Sequence, residues 1–412
     1  MAGPTIFLSA GEASGERYGT SLIHTIRKLA PDATFFGLGG ERMEAAGLKR
    51  IVRAEDVAVM GITEVIRHMP RIYREYRKLK RSLRSQPRLP DAAVLIDFPD
   101  VNLGLARELH RLGIPVIFFV SPQLWAWKKH RIHQVKRYVD RMLVIFPFEE
   151  RFYQGHQVAA TFVGHPLADL PPPKITRNEL ASHYALDPAK PWIALLPGSR
   201  QNEIELNLPA MLEVAAELNG EAEFLLPLAP TLKPNQKSKV YAMVHSQGIL
   251  SGVLPRVAIM DDARAALLHA RASVVASGTA TVEAALIGNP FVVVYRISEL
   301  SYAVARRVVK VPFVAMVNLI ANRAVVPELI QGDFTAANVV LHLRRLMHNE
   351  NDRERMKEDL RQVAASLRFE NAKENGDLRG AIGRVAEITV DLISKSGHRR
   401  LKSTSELLSH AE

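Results

Sequence analysis

Residues 6–16 read Ile-Phe-Leu-Ser-Ala-Gly-Glu-Ala-Ser-Gly-Glu, and residues 273–283 read Ser-Val-Val-Ala-Ser-Gly-Thr-Ala-Thr-Val-Glu. Each stretch places a short apolar strand before a glycine- and serine-rich turn and the start of a helix. This order presents backbone N–H groups and the positive end of a helix to an anion. Two such stretches, half a chain apart, predict two α/β halves and a nucleotide-sugar or phosphorylated ligand held in a cleft between them.

Apolar runs that alternate with helical patterns support this division. In the first half we predict strands at residues 5–9, 34–38, 93–96, 115–120 and 142–146, and in the second half at 192–196, 223–228, 252–254, 272–276 and 291–294. Helical patterns cover residues 19–29, 103–112, 207–218, 262–270, 281–287, 336–347, 354–367 and 378–392. Because the strands are apolar throughout, they predict parallel sheets covered on both faces.

The domain limits follow from these patterns and from three consecutive prolines at 171–173. We expect a first Rossmann-like domain over residues 1–170, a linker over 171–188 and a second Rossmann-like domain over 189–367. A helix over 368–393 is expected to pack back on the first domain or on a partner subunit. Residues 394–412 are polar and basic, which predicts a flexible tail.

Composition narrows the function classes. The 412 residues are 47% hydrophobic, contain no cysteine and carry a formal net charge of +11. Disulfides, thiolate metal sites and a cysteine nucleophile are therefore excluded. We see no signal peptide and no run of about 18 apolar residues, so we expect a cytoplasmic protein. The positive charge indicates an anionic partner, which nucleic acid, anionic lipid and a phosphorylated substrate all satisfy.

Asp97 follows the apolar residues 94–96, at the carboxyl end of a predicted buried strand. That edge of an open α/β sheet faces the ligand crevice, so Asp97 is a candidate general base for an attacking hydroxyl. The alternative is a cap for the following helix, a role that Asp100 fills better than Asp97.

Arg200 follows the strand and turn of residues 192–199, where its guanidinium suits a phosphate. A solvated arginine is the alternative. Glu283 is predicted in the first turn of the helix that follows the second glycine loop. It either complements the helix dipole or accepts hydrogen bonds from a ribose, and the two roles are compatible.

Residues 67–84 alternate basic side chains with apolar ones at helical spacing, and Met60 and Ile62 precede them. A basic amphipathic helix of this kind binds an anionic lipid surface or RNA. The alternative is an ordinary surface helix with a core-facing stripe. His130 and His133 lie three positions apart on another basic stretch, where we expect a solvated face.

Several motifs are absent from the sequence. It contains no HExxH, no GxxxxGK[ST], no Gly-x-Ser-x-Gly and no Asp-x-Asp. Without the Asp-x-Asp clamp of metal-dependent glycosyltransferases, a leaving diphosphate would need arginine and helix N-termini.

Taken together, the motifs resemble the lipid-A-disaccharide synthase family, in family order over residues 5–330. The matching segments are 10–15, 37–43, 59–65, 96–102, 121–127, 146–149, 162–167, 195–200 and 277–286. Two positions depart from the family pattern: Glu16 replaces an aspartate, and Val317 replaces the proline of Leu-Pro-Asn.

The resemblance implies a GT-B architecture, in which two Rossmann-like domains with parallel sheets face each other across a central cleft. It also implies transfer from UDP-2,3-diacylglucosamine to 2,3-diacylglucosamine 1-phosphate, with inversion, to give a β-1,6-linked disaccharide and UDP. We expect no cofactor and no metal ion.

The resemblance also implies roles for individual residues. Asp97 becomes the base for the acceptor 6-hydroxyl. The donor UDP is assigned to Arg200, Ser277, Gly278, Thr279, Ala280 and Glu283. The acceptor or reacting end is assigned to Gly11, Glu12, Ser14, Gly15 and Asn318. Candidates for membrane docking are Met60, Ile62, Arg71, Arg74 and Arg77.

On this interpretation the protein lies at the inner face of the inner membrane, binds no nucleic acid and forms a homodimer if it exchanges C-terminal segments. One alternative is a GT-B transferase or epimerase that acts on UDP-N-acetylglucosamine with a soluble partner. Another is a non-catalytic RNA- or membrane-binding protein that uses the basic helix, which leaves both anion loops and Asp97 unexplained.

Overall fold

The computed structural model describes residues 3–57, 62–251, 255–309, 311–369 and 380–409. It divides into two compact units. The first comprises Met1–Asp169 together with Leu367–Glu412, and the second comprises Leu170–Ser366.

The first unit is built on a parallel sheet of seven strands. Their bounds are β1 Thr5–Ala10, β2 Thr34–Gly39, β3 Leu48–Arg53, β4 Ala92–Ile96, β5 Val116–Phe119, β6 Arg141–Val144 and β7 Ala160–Phe162. The strand order is β3-β2-β1-β4-β5-β6-β7. β1 and β4 therefore lie side by side, and the chain winds outward from them in both directions.

The second unit repeats this arrangement with six parallel strands. Their bounds are β8 Trp192–Leu196, β9 Glu223–Pro227, β10 Val257–Met260, β11 Ala272–Ala276, β12 Phe291–Tyr295 and β13 Glu328–Ile330. The order β10-β9-β8-β11-β12-β13 is that of a Rossmann sheet. The predicted α/β class with two Rossmann-like domains is thus confirmed.

Helices connect the strands and cover both sheets. In chain order they are α1 Ala13–Leu29, α2 Glu41–Ala45, α3 Ala54–Val57, α4 Ile62–Ser85, α5 Pro99–Arg111, α6 Ile132–Tyr138, α7 Pro147–Gly155, α8 Arg177–Tyr184, α9 Gln201–Glu217, α10 Pro234–Ser251, α11 Ala263–His269, α12 Thr279–Ile287, α13 Glu299–Val308, α14 Met316–Ala321, α15 Ala336–His348, α16 Glu350–Ser366 and α17 Gly380–Ser409. In the part of the chain described, none of these helices is both long and apolar enough to cross a bilayer.

Most predicted strands are confirmed to within two residues. The strand predicted at 252–254 lies outside the described residues. The edge strand β10 was not predicted. β3, β7 and β13 were not predicted. All three are edge strands, and two of them have only three residues, so they carry a weaker apolar pattern than the central strands.

Residues 171–188, which the sequence assigns to a linker, contain α8 and belong to the second unit. Thr176 and Glu179 form a capping box at the start of α8. Arg177 lies over the ring of the fully buried Trp192, 3.7 Å from its centroid. It also donates hydrogen bonds to the backbone carbonyls of Pro188, Lys190 and His269. The segment is therefore anchored to the second sheet.

The C-terminal helix α17 packs along α1 of its own chain. The Asp169 carboxylate accepts a hydrogen bond from the N–H of Ala381, 2.7 Å away, at the first turn of α17. Residues 394–409, assigned by the sequence pattern to a flexible tail, continue this helix.

Asn102, fully buried in α5, holds the ends of β1 and β4 together. Its amide oxygen accepts from the Ser9 hydroxyl at 2.6 Å. Its amide nitrogen donates to the carbonyls of Asp97 (2.7 Å) and Ile96 (3.2 Å). Two neighbouring strand ends thus share one buried side chain.

Replacement of this side chain by Asn102→Ala is expected to destabilise the first unit by about 2–4 kcal/mol, because it leaves buried polar groups without partners. Hydrogen exchange of the β1 and β4 amides measures this effect. The control Asn338→Ala, at an exposed position of α15, should change exchange little. Equal exchange in the two variants would contradict this role for Asn102.

Candidate functional site

The loops singled out in the sequence follow the two central strand pairs of the sheets. Residues 11–15 follow β1 and Asp97 follows β4, whereas Arg200 follows β8 and residues 277–280 follow β11. β1 pairs with β4, and β8 pairs with β11. Each pair is the topological switch point of its sheet, the place where open α/β sheets bind ligands. The structure therefore brings the predicted residues together in two groups, one in each unit.

Asp97 lies at the first switch point in an unusual backbone conformation. Asp97 and Phe98 both have a φ of 49°, a left-handed conformation that non-glycine residues seldom adopt. The Asp97 N–H donates to the carbonyl of Phe119, and the Asp97 carbonyl accepts from Asn102. The N-cap of α5 is Phe98 rather than Asp97, so the helix-capping alternative for Asp97 is not supported.

Asp100, the other acid of this loop, has a different environment. It is exposed at the first turn of α5 and forms ion pairs with Arg131 (2.6 Å) and Lys128 (3.7 Å). Its charge complements the helix dipole, as an acid near a helix N-terminus does. The two aspartates are thus distinguished by backbone strain and by burial.

Gly11 brings the first glycine loop against the Asp97 loop. A Cβ on Gly11 would lie 2.3 Å from the Phe98 ring, so any larger residue there would displace that ring. Glu12 and Ser14 are half-buried at the start of α1, and Gly15 packs close to Ile96 at the end of β4. Glu16, which replaces the family's aspartate, accepts a hydrogen bond from the Arg42 N–H, 2.8 Å away, at the start of α2.

Glu149 forms a buried cluster at the ends of β5 and β6 that sequence analysis missed. One carboxylate oxygen accepts from the Ser121 hydroxyl (2.6 Å) and the Trp125 indole N–H (3.1 Å). The other accepts from the Phe146 N–H at 3.3 Å. Val120, directly before this loop, has a φ of 64°, an outlier for a β-branched residue. Strain of this kind concentrates at functional sites.

Burial raises the pKa of the Glu149 carboxyl to about 7, although its hydrogen bonds favour the ionised form. Burial, followed by the charge of Glu149, raises the pKa of the nearby Tyr153, whose hydroxyl donates to the carbonyl of Pro122. Burial lowers the pKa of His165 to about 3. His165 therefore stays neutral, and its Nδ1 accepts from the Leu167 N–H.

In the second unit, the backbone N–H groups of the turn that carries Arg200 already donate to the carboxylate of Glu203. Glu203 accepts from the N–H groups of Ser199 (3.1 Å) and Arg200 (3.3 Å) at the start of α9. Gly198 has a φ of 122°, and a Cβ there would meet Glu203 at 2.6 Å. The half-exposed Arg200 guanidinium lies 3.1 Å from Glu203.

The start of α12 is open by contrast. Gly278 is its N-cap with a φ of 149°, and among the described residues no side chain caps this helix. Gly278 and Thr279 are exposed, and a Cβ on Gly278 would meet nothing within 4 Å. The first N–H groups of a helix have no intrahelical acceptor, so this terminus can bind an anion.

Two predicted site residues have surroundings other than those expected. They are Glu283 of the donor site and Asn318 of the reacting end. Because α12 begins at Thr279, Glu283 falls in its second turn, where the dipole effect is weak. Asn318 is fully buried. Its amide contacts the N–H groups of Val325 and Val326 and the carboxylate of Glu328. Asn318 therefore positions the segment before β13 instead of lining an open site.

The basic helix α4 combines a buried stripe with an exposed charged face. Leu79 and Leu83 are buried, and Arg71, Arg74 and Arg77 are exposed. Arg71 pairs with Asp56. Met60 lies outside the described residues, and Ile62 begins the helix. The described part of α4 therefore has the core-facing stripe of the alternative interpretation, together with an exposed basic face.

Metal ligands do not cluster in the parts of the chain that the structure describes: three or more His, Asp or Glu side chains converge nowhere there. His130 and His133 are exposed, which fits their interpretation as solvated side chains.

The substitution Glu149→Gln tests the protonation of the buried Glu149 carboxyl, because glutamine is its neutral isostere. The folded-state pKa of Glu149 is raised to about 7. Between about pH 4.5 and 7 the folded protein therefore keeps a proton that the unfolded chain has lost, and wild-type stability falls as the pH rises through that window. The variant should lack this fall, which is worth about 3 kcal/mol. Chemical denaturation of both proteins from pH 5 to 8 measures it, and parallel stability curves would refute the raised pKa.

Solved structures share the architecture at low sequence identity. The calicheamicin glycosyltransferase CalG4 matches with a TM-score of 0.57 at 16% identity, covering 96% of this chain and 99% of that one. The UDP-GlcNAc 2-epimerase from Neisseria meningitidis, bound to UDP-GlcNAc, matches with a TM-score of 0.57 at 13% identity, covering 95% and 99%. These likenesses show the fold alone.

Sequence relatives are much closer. The family described as lipid-A-disaccharide synthetase matches residues 6–382. A lipid-A-disaccharide synthase of Acidobacterium capsulatum is 61% identical over 95% of this chain and 97% of its own length. One from Koribacter versatilis is 49% identical over 91% and 96%. The chain belongs to the lipid-A-disaccharide synthase family.

Proposed function

We propose that this chain transfers the diacylglucosaminyl group of UDP-2,3-diacylglucosamine to the 6-hydroxyl of 2,3-diacylglucosamine 1-phosphate. As a member of its family it is a UDP-sugar-dependent glycosyltransferase that forms the lipid A disaccharide. The observation that carries the finer proposal is the location of Asp97 at one switch point and of an uncapped helix N-terminus at the other.

On the acceptor side, Asp97 is the general base. As the acceptor oxygen forms its bond to the donor's anomeric carbon, the bond from that carbon to UDP breaks and the hydroxyl proton passes to the Asp97 carboxylate. The hydrogen bonds of the Asp97 backbone to Phe119 and Asn102 hold the main chain that carries this carboxylate, which supports the proposal. Gly11, Glu12, Ser14 and Gly15, next to Asp97 in the fold, would contact the reacting sugars.

On the donor side, the leaving diphosphate gains negative charge as the glycosidic bond breaks. The first N–H groups of α12, from Gly278 to Ala280, would stabilise that charge together with the Arg200 guanidinium. Ser277 precedes them, and Glu283 would accept hydrogen bonds from the ribose. Direct displacement with one base inverts the anomeric centre. Such a reaction does not require a metal ion, and turnover in the presence of EDTA would test this.

Asp97→Asn is expected to lower kcat about 10²- to 10⁴-fold, because the variant cannot accept the hydroxyl proton. Donor KM should change little. Mass spectrometry of disaccharide and UDP measures turnover, with Asp100→Asn as the matched control in the same loop. If both variants kept wild-type turnover, Asp97 would not be the base.

The basic face of α4 supports docking on the inner face of the inner membrane. Arg71, Arg74 and Arg77 are exposed together, and Arg77 lies over the ring of the exposed Tyr73, 5.4 Å from its centroid. Each basic residue near an anionic surface contributes about 1 kcal/mol.

A homodimer formed by exchange of C-terminal segments is a further prediction. Sedimentation measures whether the protein is a dimer in solution.

Replacement of Arg71, Arg74 and Arg77 by Glu should weaken binding to anionic liposomes about 100-fold or more. Flotation with phosphatidylglycerol vesicles measures the affinity. Replacement of Lys136, Arg141 and Arg151 by Glu changes the net charge equally and serves as the control. Unchanged binding of the α4 variant, or an equal loss in the control, would exclude this surface.

A further inference from the structure

Exposed apolar side chains concentrate around α13 of the second unit. Among the described residues nine large hydrophobic side chains are exposed, and four of these lie within residues 304–314. They are Val304 (58% exposed), Val308 (48%), Val309 (39%) and Val314 (42%). Val304 and Val308 are four positions apart and share one side of the helix. We call these four residues the valine face.

The segment is held at both ends. At its start, the Gln331 side chain exchanges hydrogen bonds with the N–H and carbonyl of Ile297, and Ser298 caps α13. At its end, the Glu328 carboxylate accepts from the N–H groups of Val314 (2.8 Å) and Ala315 (2.9 Å). Between these anchors, α13 packs little against other elements of the described chain. The valine face therefore lies between two anchored ends, and the described part of its own unit leaves it uncovered.

This face borders the proposed donor loop. The Ser277 hydroxyl donates to the backbone carbonyl of Val314 at 3.3 Å. Val314 belongs to the valine face, whereas Ser277 directly precedes the open N-terminus of α12. A ligand whose diphosphate binds at that terminus would have its sugar, and any chains attached to the sugar, next to Val314, the end of the valine face nearest to the loop.

We propose that the valine face binds an acyl chain of the lipid-linked UDP-sugar donor. This inference rests on the proposed function, which assigns the donor's diphosphate to residues 277–280. The contact between Ser277 and Val314 favours the donor over a bilayer surface or a second copy of the chain, since neither of these requires the face to adjoin the diphosphate site. The exposed Arg306 and Arg307 on the same helix add positive charge beside an anionic donor.

The test replaces Val304, Val308, Val309 and Val314 by Thr, which keeps the side-chain shape and exchanges one methyl group of each valine for a hydroxyl. The control replaces Leu268 and Leu341 by Thr, at exposed apolar positions of the same unit. Calorimetry measures Kd for UDP and for UDP-2,3-diacylglucosamine, and steady-state kinetics compares that donor with its short-chain analogue. Vesicle flotation and sedimentation are run on the same samples.

We expect the valine variant to bind the diacyl donor about tenfold more weakly and to raise its KM to the same extent, because methyl groups that would contact the acyl chain are replaced by hydroxyls. UDP affinity, the short-chain donor's KM and vesicle binding should match wild type, and the control should be unaffected throughout. Unchanged affinity for the diacyl donor overturns the proposal, as does an equal loss with the short-chain donor.

Other outcomes identify other occupants and also overturn the proposal. Loss of vesicle binding without loss of donor affinity assigns the face to a bilayer surface, and a shift in sedimentation assigns it to a second copy. If wild-type protein forms no disaccharide, the proposed function fails. In that case the Kd values measured for the diacyl donor and for UDP still show whether the valine face binds an acyl chain.

Discussion

The amide of Asn102 is the interaction on which the first site depends. Where β1 and β4 end, the backbone carbonyls of Ile96 and Asp97 have no further strand residue to pair with, and the Asn102 amide nitrogen satisfies them. Its oxygen fixes the Ser9 hydroxyl from the neighbouring strand. Left-handed backbone at a non-glycine residue costs about 1–3 kcal/mol, so the fold must hold Asp97 and Phe98 in place. Asn102 does so from a helix that is itself packed on the sheet.

The sequence predicts the centre of each sheet better than its margins. Central strands such as β1 and β11 are buried on both faces, so they consist mainly of apolar residues with a small serine among them, and a glycine follows each within two residues. Edge strands such as β3 face solvent in part and carry charged residues. The strand-glycine-helix order predicted both switch-point loops, because the glycines are required there. Helix starts were predicted too late at α1 and α12, since serine, threonine and glycine in a first turn resemble loop sequence.

The contacts within the Glu149 cluster could not be predicted from the sequence in the same way. Ser121 and Trp125 lie 28 and 24 residues from Glu149, and they meet only because β5 and β6 are neighbours in the sheet. Two of the segments involved were recognised as family motifs, at residues 121–127 and 146–149. A motif indicates that a segment matters, but its partner becomes visible only once the strand order is known.

Internal carboxylates decide which helix N-termini remain open to a ligand. Glu16 occupies the start of α2, and Glu203 occupies the start of α9. An anion approaching α9 would meet a carboxylate that already accepts from its N–H groups, so repulsion and lost hydrogen bonds oppose binding there. The described part of the chain supplies no such side chain to α12, and α12 is therefore the terminus at the second switch point that a diphosphate can occupy. In the donor site proposed above, Arg200 would act through its side chain alone, since Glu203 already accepts from its N–H. Its guanidinium pairs with Glu203 in the free protein and would turn toward a diphosphate, which carries more charge than one carboxylate.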